Sequence, residues 1–292
     1  NDLEIKNVNT IKALAKSSLE VLSLKSNHLT DEMIEPLAKT NILKILNLSN
    51  NDITPTGAKK KEKNTDLLQL HLNKNDLGDA GVSAFANNTT LEWLSVEDNK
   101  ITQAGAFNLA KNMTLKKIEI SNNPISDEGI AKLAANGNIN QLGASNTQLG
   151  EKSLKTIIDN TSIKTLAIDG NDIGDKGAKK LADSEIKNLS VASNNIGKSG
   201  GIALAHDTNL KQLEISKNHV EDAAALEFAN NTTLSVLFIM YNDLTQVGMD
   251  ALSANITFSL VWYGESEDAI NKITRLKPHA FSVFHSDEIA KQ

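Results

Sequence analysis

Leu43-Lys44-Ile45-Leu46-Asn47-Leu48-Ser49-Asn50-Asn51-Asp52-Ile53 decides the fold. Apolar side chains stand at positions 1, 4, 6 and 11 of this stretch, with an asparagine at position 9. The spacing returns at Leu67, Leu70, Leu72, Asn75 and Leu77, and again at Leu91, Leu94, Val96, Asn99 and Ile101. First positions fall at 19, 43, 67, 91, 115, 139, 163, 186, 210 and 234, a step of 24 residues with a single step of 23 before Ile186. One match would carry little weight, but ten in register define a repeat.

Positions 4 and 6 alternate with 3, 5 and 7, the period of a strand about five residues long. Position 9 is Asn27, Asn51, Asn75, Asn99, Asn123, Asn171, Asn194, Asn218 and Asn242, and Thr147 in the unit at Ile139. Buried amides need partners, so these residues are expected to stack into a structural ladder that bonds the turn backbones of successive units. Gly at position 15 and apolar-small pairs at 19 and 20, such as Leu109-Ala110 and Phe228-Ala229, share one helix face. Asp, Ser or Thr just before the Gly, as at Ser126-Asp127 and Thr102, supplies capping oxygens. Each unit therefore reads strand, turn, helix, turn. Parallel strands about 4.8 Å apart, backed by wider helices, predict an α/β solenoid curved like a horseshoe, with its sheet on the concave side and its helices on the convex side.

The L-x-x-L-x-L-x-x-N-x-L core followed by a G-A-x-x-L-A helix resembles the leucine-rich repeat family over residues 19 to about 257. The closest resemblance is to the ribonuclease-inhibitor-like class and its 24-residue GALA form. The richness in Lys, Asn and Ile resembles leucine-rich repeat effectors of intracellular bacteria such as Legionella. The resemblance implies a protein-binding scaffold without a cofactor; as an effector, the chain would be secreted by a bacterium to act on a host protein.

Composition bounds the partners. With 30 Lys and Arg against 36 Asp and Glu, the net charge is -6, which argues against a general nucleic-acid binder. No apolar run approaches the roughly 20 residues of a bilayer span, so no membrane insertion is expected. There is no cysteine, so disulfides and thiolate metal sites are excluded. A reducing, cytoplasmic compartment is expected, or a host cytosol if the effector resemblance holds. Asn-x-Ser/Thr triplets at Asn88, Asn112, Asn160, Asn231 and Asn255 read as products of the repeat rather than glycosylation sites.

A single domain is expected over 1–292: an N-terminal cap over 1–18, ten repeats over 19–257, and a degenerate repeat with a C-terminal cap over 258–292. Phe258, Val261 and Tyr263 predict an eleventh strand, 267–276 a helix, and 281–284 an edge strand. Within the array, Lys61 and Glu62 stand where an apolar-small pair is expected, and with Lys59, Lys60 and Lys63 they make a short basic run, either a docking patch or a solvated helix end. Gly143 and Ala144 thin the strand of the unit at Ile139.

Positions 3, 5 and 7 face the concave side, and most are small or polar. Two clusters depart from that pattern. Trp93 stands among His71, Glu97 and Glu119, a plausible aromatic anchor for a partner protein. Val236, Phe238, Met240, Tyr241, Leu260 and Trp262 form an apolar patch that either binds a partner or is covered by the C-terminal tail. His71, Glu97 and Glu119 are the best acid–base candidates; without a deep pocket their pKa values are expected to be ordinary, and no catalysis is expected. No nucleophile elbow, phosphate loop or metal spacing is visible, and the six histidines are scattered. Three readings remain: a scaffold holding a protein on its concave face, the recognition part of a larger enzyme or ubiquitin-ligase adaptor, or a structural oligomer that buries its C-terminal apolar patch against itself; a monomer is expected, with a weak dimer through that patch as the alternative.

Overall fold

The leucines at position 4 lie opposite one another from repeat to repeat, and this register organises the structure. The computed structural model describes residues 7–61, 65–263 and 271–274. The chain divides into two units, residues 1–148 and 149–292.

The first unit opens with α1 (Val8–Ala15), capped by the Asn7 side chain. Its strands are β1 (Val21–Ser23), β2 (Ile45–Asn47), β3 (Gln69–His71), β4 (Trp93–Ser95), β5 (Lys117–Glu119) and β6 (Gln141–Gly143). They pair in chain order and in parallel, Leu22 facing Leu46, then Leu70, Leu94, Ile118 and Leu142. Between them run α2 (Glu35–Ala38), α3 (Pro55–Lys61), α4 (Gly78–Val82), α5 (Gln103–Leu109) and α6 (Ser126–Ala134). The second unit repeats the plan with β7 (Thr165–Ala167), β8 (Asn188–Ser190), β9 (Gln212–Glu214), β10 (Val236–Phe238) and β11 (Leu260–Tyr263), with α7 (Glu151–Asp159), α8 (Gly174–Leu181), α9 (Lys198–Ala205), α10 (Glu221–Asn230) and α11 (Gln246–Ala254). Leu166 faces Leu189, so the 23-residue step leaves the register intact. The fold is the α/β leucine-rich repeat solenoid expected from the sequence, with sheet on one face of each unit and helices on the other.

Two expectations need correction. Strands span three residues through most of the array, not five, because the turn begins immediately after position 5. Backbone bonding between repeats nevertheless continues, as in Leu72 N–H to Ser95 O at 2.8 Å and Lys74 N–H to Glu97 O at 2.8 Å. At the C-terminus, β12 (Asn271–Thr274) lies where a helix over 267–276 was expected, and pairs antiparallel with β11. The free edge of β11 demands backbone partners, and β-branched Ile273 and Thr274 suit a strand. The edge strand expected at 281–284 lies outside the described residues.

The core follows the pattern: the apolar side chains at positions 1, 4, 6 and 11 are almost all buried. Between sheet and helices the polar rows act as fasteners. Asn123 Oδ1 accepts from the N–H groups of Asn99 and Ile101 at 2.9 and 3.0 Å, while its Nδ2 donates to the carbonyls of Val96, Ile120 and Ser121. Asn51 and Asn218 repeat the arrangement. Thr147 instead turns its hydroxyl onto Ala144 O at 2.7 Å.

A second asparagine row explains the Asn-x-Ser/Thr triplets. Asn112 Oδ1 accepts from the N–H groups of Thr114 and Leu115, and Nδ2 donates to Phe85 O and Asn88 O in the preceding repeat. Asn231 and Asn255 do the same one and two repeats beyond Asp207. These amides are engaged by the backbone rather than presented to solvent.

Helix caps come from the neighbouring repeat. Asp79 Oδ1 accepts from Thr102 N–H and Gly105 N–H, and Oδ2 from the Thr102 hydroxyl. Asp31 serves Thr54 likewise, Asp175 serves Gly197, Ser199 and Gly200, and Asp222 serves Thr245 and Gly248. A Cβ at Gly105 would stand 2.5 Å from Asp79 Oδ1, so this close approach requires glycine. Donor and recipient repeats alternate, which gives the array a doubled period of about two repeats.

Candidate functional site

On the open sheet face of the first unit, adjacent strands bring together residues spaced by one repeat. Trp93 and Lys117 pair across β4 and β5 at position 3. Lys117 Nζ lies 3.8 Å from the centre of the indole ring. The edge of His71, on β3, meets the same indole with centroids 4.7 Å apart and planes at 75°. The indole is thus held by a cation on one side and an imidazole on the other. Trp93 is half-buried, and its Nε1 is enclosed without a hydrogen-bond partner among the described residues.

Glu119 completes the group. Its carboxylate lies 3.4 Å from Lys117 Nζ and accepts from Gln141 Nε2 at 3.3 Å. It lies across Gly143, where a Cβ would fall 1.6 Å from Oε2. The thinning of β6 is therefore the space that admits the Glu119 side chain. Glu97 joins from position 7, bonded by Asn73 Nδ2 at 3.4 Å, while Asn73 Oδ1 accepts from the Ser95 hydroxyl and Glu97 N–H.

Burial displaces the acid–base properties of this group, contrary to the expectation of ordinary values. Desolvation, assisted by the Lys117 charge, lowers His71 to about 4 and keeps its imidazole neutral at pH 7. Desolvation also pulls Lys117 down, against the carboxylates of Glu119 and Glu97. Glu119 is raised to about 7 by desolvation and by Glu97, with Lys117 and Gln141 opposing. A crowded face, rather than a deep pocket, is enough to exclude water. Glu119 is one repeat beyond Ser95, which pairs with His71, so Glu119 and His71 lie two strands apart, about 9.6 Å by strand spacing. Among the described residues no group of three or more His, Asp and Glu could hold a metal ion.

The second predicted cluster is split by the structure. Phe238 and Trp262 lie together on β10 and β11, rings 5.9 Å apart and tilted by 40°. Both are half-buried, as is Met240. Val236 and Leu260 are buried at 8% and 2% exposure, so they belong to the packing. Tyr241 sits beyond the strand at position 8 with φ of 56°, in the left-handed turn shared by Ser26, Asn50 and Lys217. Glu214, beside Phe238, escaped the sequence reading: burial and Asp169 raise it to about 7. Its signal was an acid at position 5, the same position as Glu119, with small Ser190 on one side and Phe238 on the other.

Elsewhere, Lys60 of the basic run bonds Asp31 O and Glu35 at 3.1 and 3.3 Å, which fastens α3 to α2; Lys63 lies outside the described residues. A concavity of about 610 Å³ between α1 and α2, lined by Lys12, Lys16, Glu32, Glu35 and Lys39, is remote from the sheet face and mixed in charge. No helix among the described residues is long and apolar enough to cross a membrane.

No curated protein matches the chain. Among solved structures, it is similar to an internalin (InlF) of Listeria monocytogenes, at 18% identity over 91% of this chain and 96% of that one, with a TM-score of 0.50. It is also similar to the Arabidopsis receptor kinase HAESA, solved with the peptide hormone IDA and the co-receptor SERK1, at 17% identity and a TM-score of 0.54. That similarity covers 79% of this chain and 41% of the receptor chain. At these identities the likeness concerns the fold. The leucine-rich repeat family model matches residues 15–38, 41–60, 63–86, 87–110, 111–134, 159–182, 186–205, 206–229 and 230–253, passing over the unit at Ile139 where Thr147 interrupts the ladder. The chain belongs to the leucine-rich repeat family.

Proposed function

We propose that the chain is a non-catalytic protein-binding scaffold and that the sheet face of its first unit is the recognition surface, with Trp93 as anchor. The observation that carries this reading is the fixed indole: Lys117 at 3.8 Å and His71 at 4.7 Å hold it in place before any partner arrives. An anchor ordered in advance loses little conformational freedom on binding. Glu97, Glu119 and Gln141 supply polar groups around it, and Ser95 leaves a low floor beside it.

The finer reading is a bacterial effector that engages a host protein in a reducing compartment. It rests on the 24-residue repeat, the Lys-, Asn- and Ile-rich composition and the lack of cysteine. Affinity capture with the whole chain from host-cell lysate and, in parallel, from bacterial lysate, followed by identification of the bound protein, tests both levels. A specific partner lost with Trp93→Ala is the expected outcome. A partner retained by that variant removes the anchor, and a partner from the bacterium alone removes the effector reading.

A further inference from the structure

The anchor and an ionisable carboxyl share one cation. Lys117 Nζ lies 3.8 Å from the centre of the Trp93 ring and 3.4 Å from the Glu119 carboxylate. Trp93 faces Lys117 in register from β4, and Glu119 follows two residues along β5. A change in the charge of Glu119 therefore reaches the indole through a single ammonium group.

Glu119 meets Lys117 on its own strand, and the Gln141 amide on β6 donates to it at 3.3 Å. Gly143 and Ser145, the other outward positions of β6, carry no charge. From β4, Ser95 pairs with Glu119 in register and Glu97 is the charge that faces it. His71, one strand further on β3, packs on the indole. Positions 3, 5 and 7 of β3 to β6 thus hold one cation, Lys117, against two carboxylates, Glu97 and Glu119.

A partner seated on Trp93 excludes water from this group. Burying an excess of negative charge is costly, and a proton on Glu119 removes the excess, leaving Lys117 with Glu97. The protonated carboxyl also gains an O–H that can donate to a carbonyl oxygen of the partner. We propose that the face around Trp93 binds its partner with uptake of a proton at Glu119, so that recognition strengthens as the surroundings become mildly acidic. The proposal rests on the reading that this face binds protein. Glu119 is raised to about 7 by burial, which places the exchange near neutrality, and His71, lowered to about 4, stays neutral there. Where only the protonated form binds, apparent affinity scales with its fraction, and the step from pH 8 to pH 6 strengthens binding about tenfold.

The probes are N-acetylated, histidine-free peptides selected from a random phage library on the whole chain at pH 7 and lost with Trp93→Ala. Calorimetric titration is expected to give affinities about tenfold tighter at pH 6 than at pH 8. At pH 7, titration of the unsubstituted chain in phosphate and in Tris, buffers of different ionisation enthalpy, is expected to show uptake of about half a proton. Glu119→Gln is expected to bind at both pH values as tightly as the unsubstituted chain does at pH 6. Glu214→Gln, in the second unit, is expected to keep the full pH dependence. The thermal transition of each variant shows that its fold is retained. Equal affinities at the two pH values, tighter binding at pH 8, or a dependence that survives Glu119→Gln overturns proton uptake while leaving Trp93 as the anchor. A library that yields no peptide sensitive to Trp93→Ala removes the anchor, and proton uptake falls with it.

Discussion

Glu119 fills the space that a side chain at position 143 would occupy, its Oε2 lying 1.6 Å from where a Gly143 Cβ would stand. One residue without a side chain therefore sets the carboxylate that holds Lys117 against Trp93. Gly143→Ala is expected to drive the carboxylate toward solvent, return its pKa toward the ordinary range and destabilise the unit by about 1–3 kcal/mol, the scale of local overpacking. Carbon-13 NMR titration of Glu119 and denaturant unfolding read both effects. In a Glu119→Ala background the same change should cost much less, and an equal cost in both backgrounds would break the proposed link.

The raised carboxyl of Glu119 makes stability depend on pH with a defined sign. The folded state holds the proton more tightly than the unfolded state, where the ordinary value is 4.5 against about 7 when folded. Stability from this group is therefore present below about pH 4.5 and is lost as pH rises through 7. Glu119→Gln should accordingly stabilise the protein more at pH 8 than at pH 5, measured as the difference in unfolding free energy from the parent chain. His71 acts in the opposite sense, since its folded value of about 4 lies below the ordinary 6.5 and stability falls as pH drops through that window. A His71→Gln variant should lose that acid-side slope.

Asp207 interrupts the second asparagine row. Its Oδ1 accepts from the N–H groups of Asn209 and Leu210, but Oδ2 is buried with no partner among the described residues. Its carboxyl is raised by desolvation and by Asp183, against those two hydrogen bonds and Lys187. An amide at this position can donate to the preceding repeat, as Asn112 does. Asp207→Asn is thus expected to add about 1–2 kcal/mol near pH 7, a gain that shrinks as pH falls and the wild-type acid takes up its proton. Urea unfolding at neutral and acid pH checks the prediction.

Much of this was legible in the chain because the repeat turns spatial neighbours into sequence neighbours 24 residues apart. The buried columns, the Asn27-to-Asn242 ladder and the strand at Val261 follow directly. The stacking of Lys117 on Trp93 was also available, since both stand at position 3 of successive repeats, but it appears only when columns are read across repeats. The doubled period set by Asp31, Asp79, Asp175 and Asp222 escaped for a related reason: reading each unit alone hides a cap supplied by its neighbour. The displaced values of His71, Glu119 and Glu214 were not legible, because burial on an open face depends on the summed bulk of adjacent strands. The strand at Asn271–Thr274 was missed because pairing with the β11 edge outweighed local helical spacing.

Asn123 joins three stretches of backbone, so its loss should be large for a side chain at a repeat's edge. Asn123→Ala leaves the N–H groups of Asn99 and Ile101 and the carbonyls of Val96 and Ile120 without this amide. A cost of about 2–4 kcal/mol is expected, on the scale of unsatisfied buried groups. Amide hydrogen exchange should show the loss of protection concentrated at Asn99 and Ile101. Uniform loss throughout the chain would instead indicate that the ladder acts only through global unfolding.

The central claim, that protein recognition occurs on the sheet face around Trp93, is tested most directly by calorimetric titration of the captured partner against three proteins: the whole chain, Trp93→Ala, and Met113→Ala in the turn between α5 and β5, where Met113 is 69% exposed. The account predicts that Trp93→Ala weakens affinity by about 2 kcal/mol or more while Met113→Ala leaves it unchanged. Unchanged affinity for Trp93→Ala, with loss confined to Met113→Ala, would contradict it.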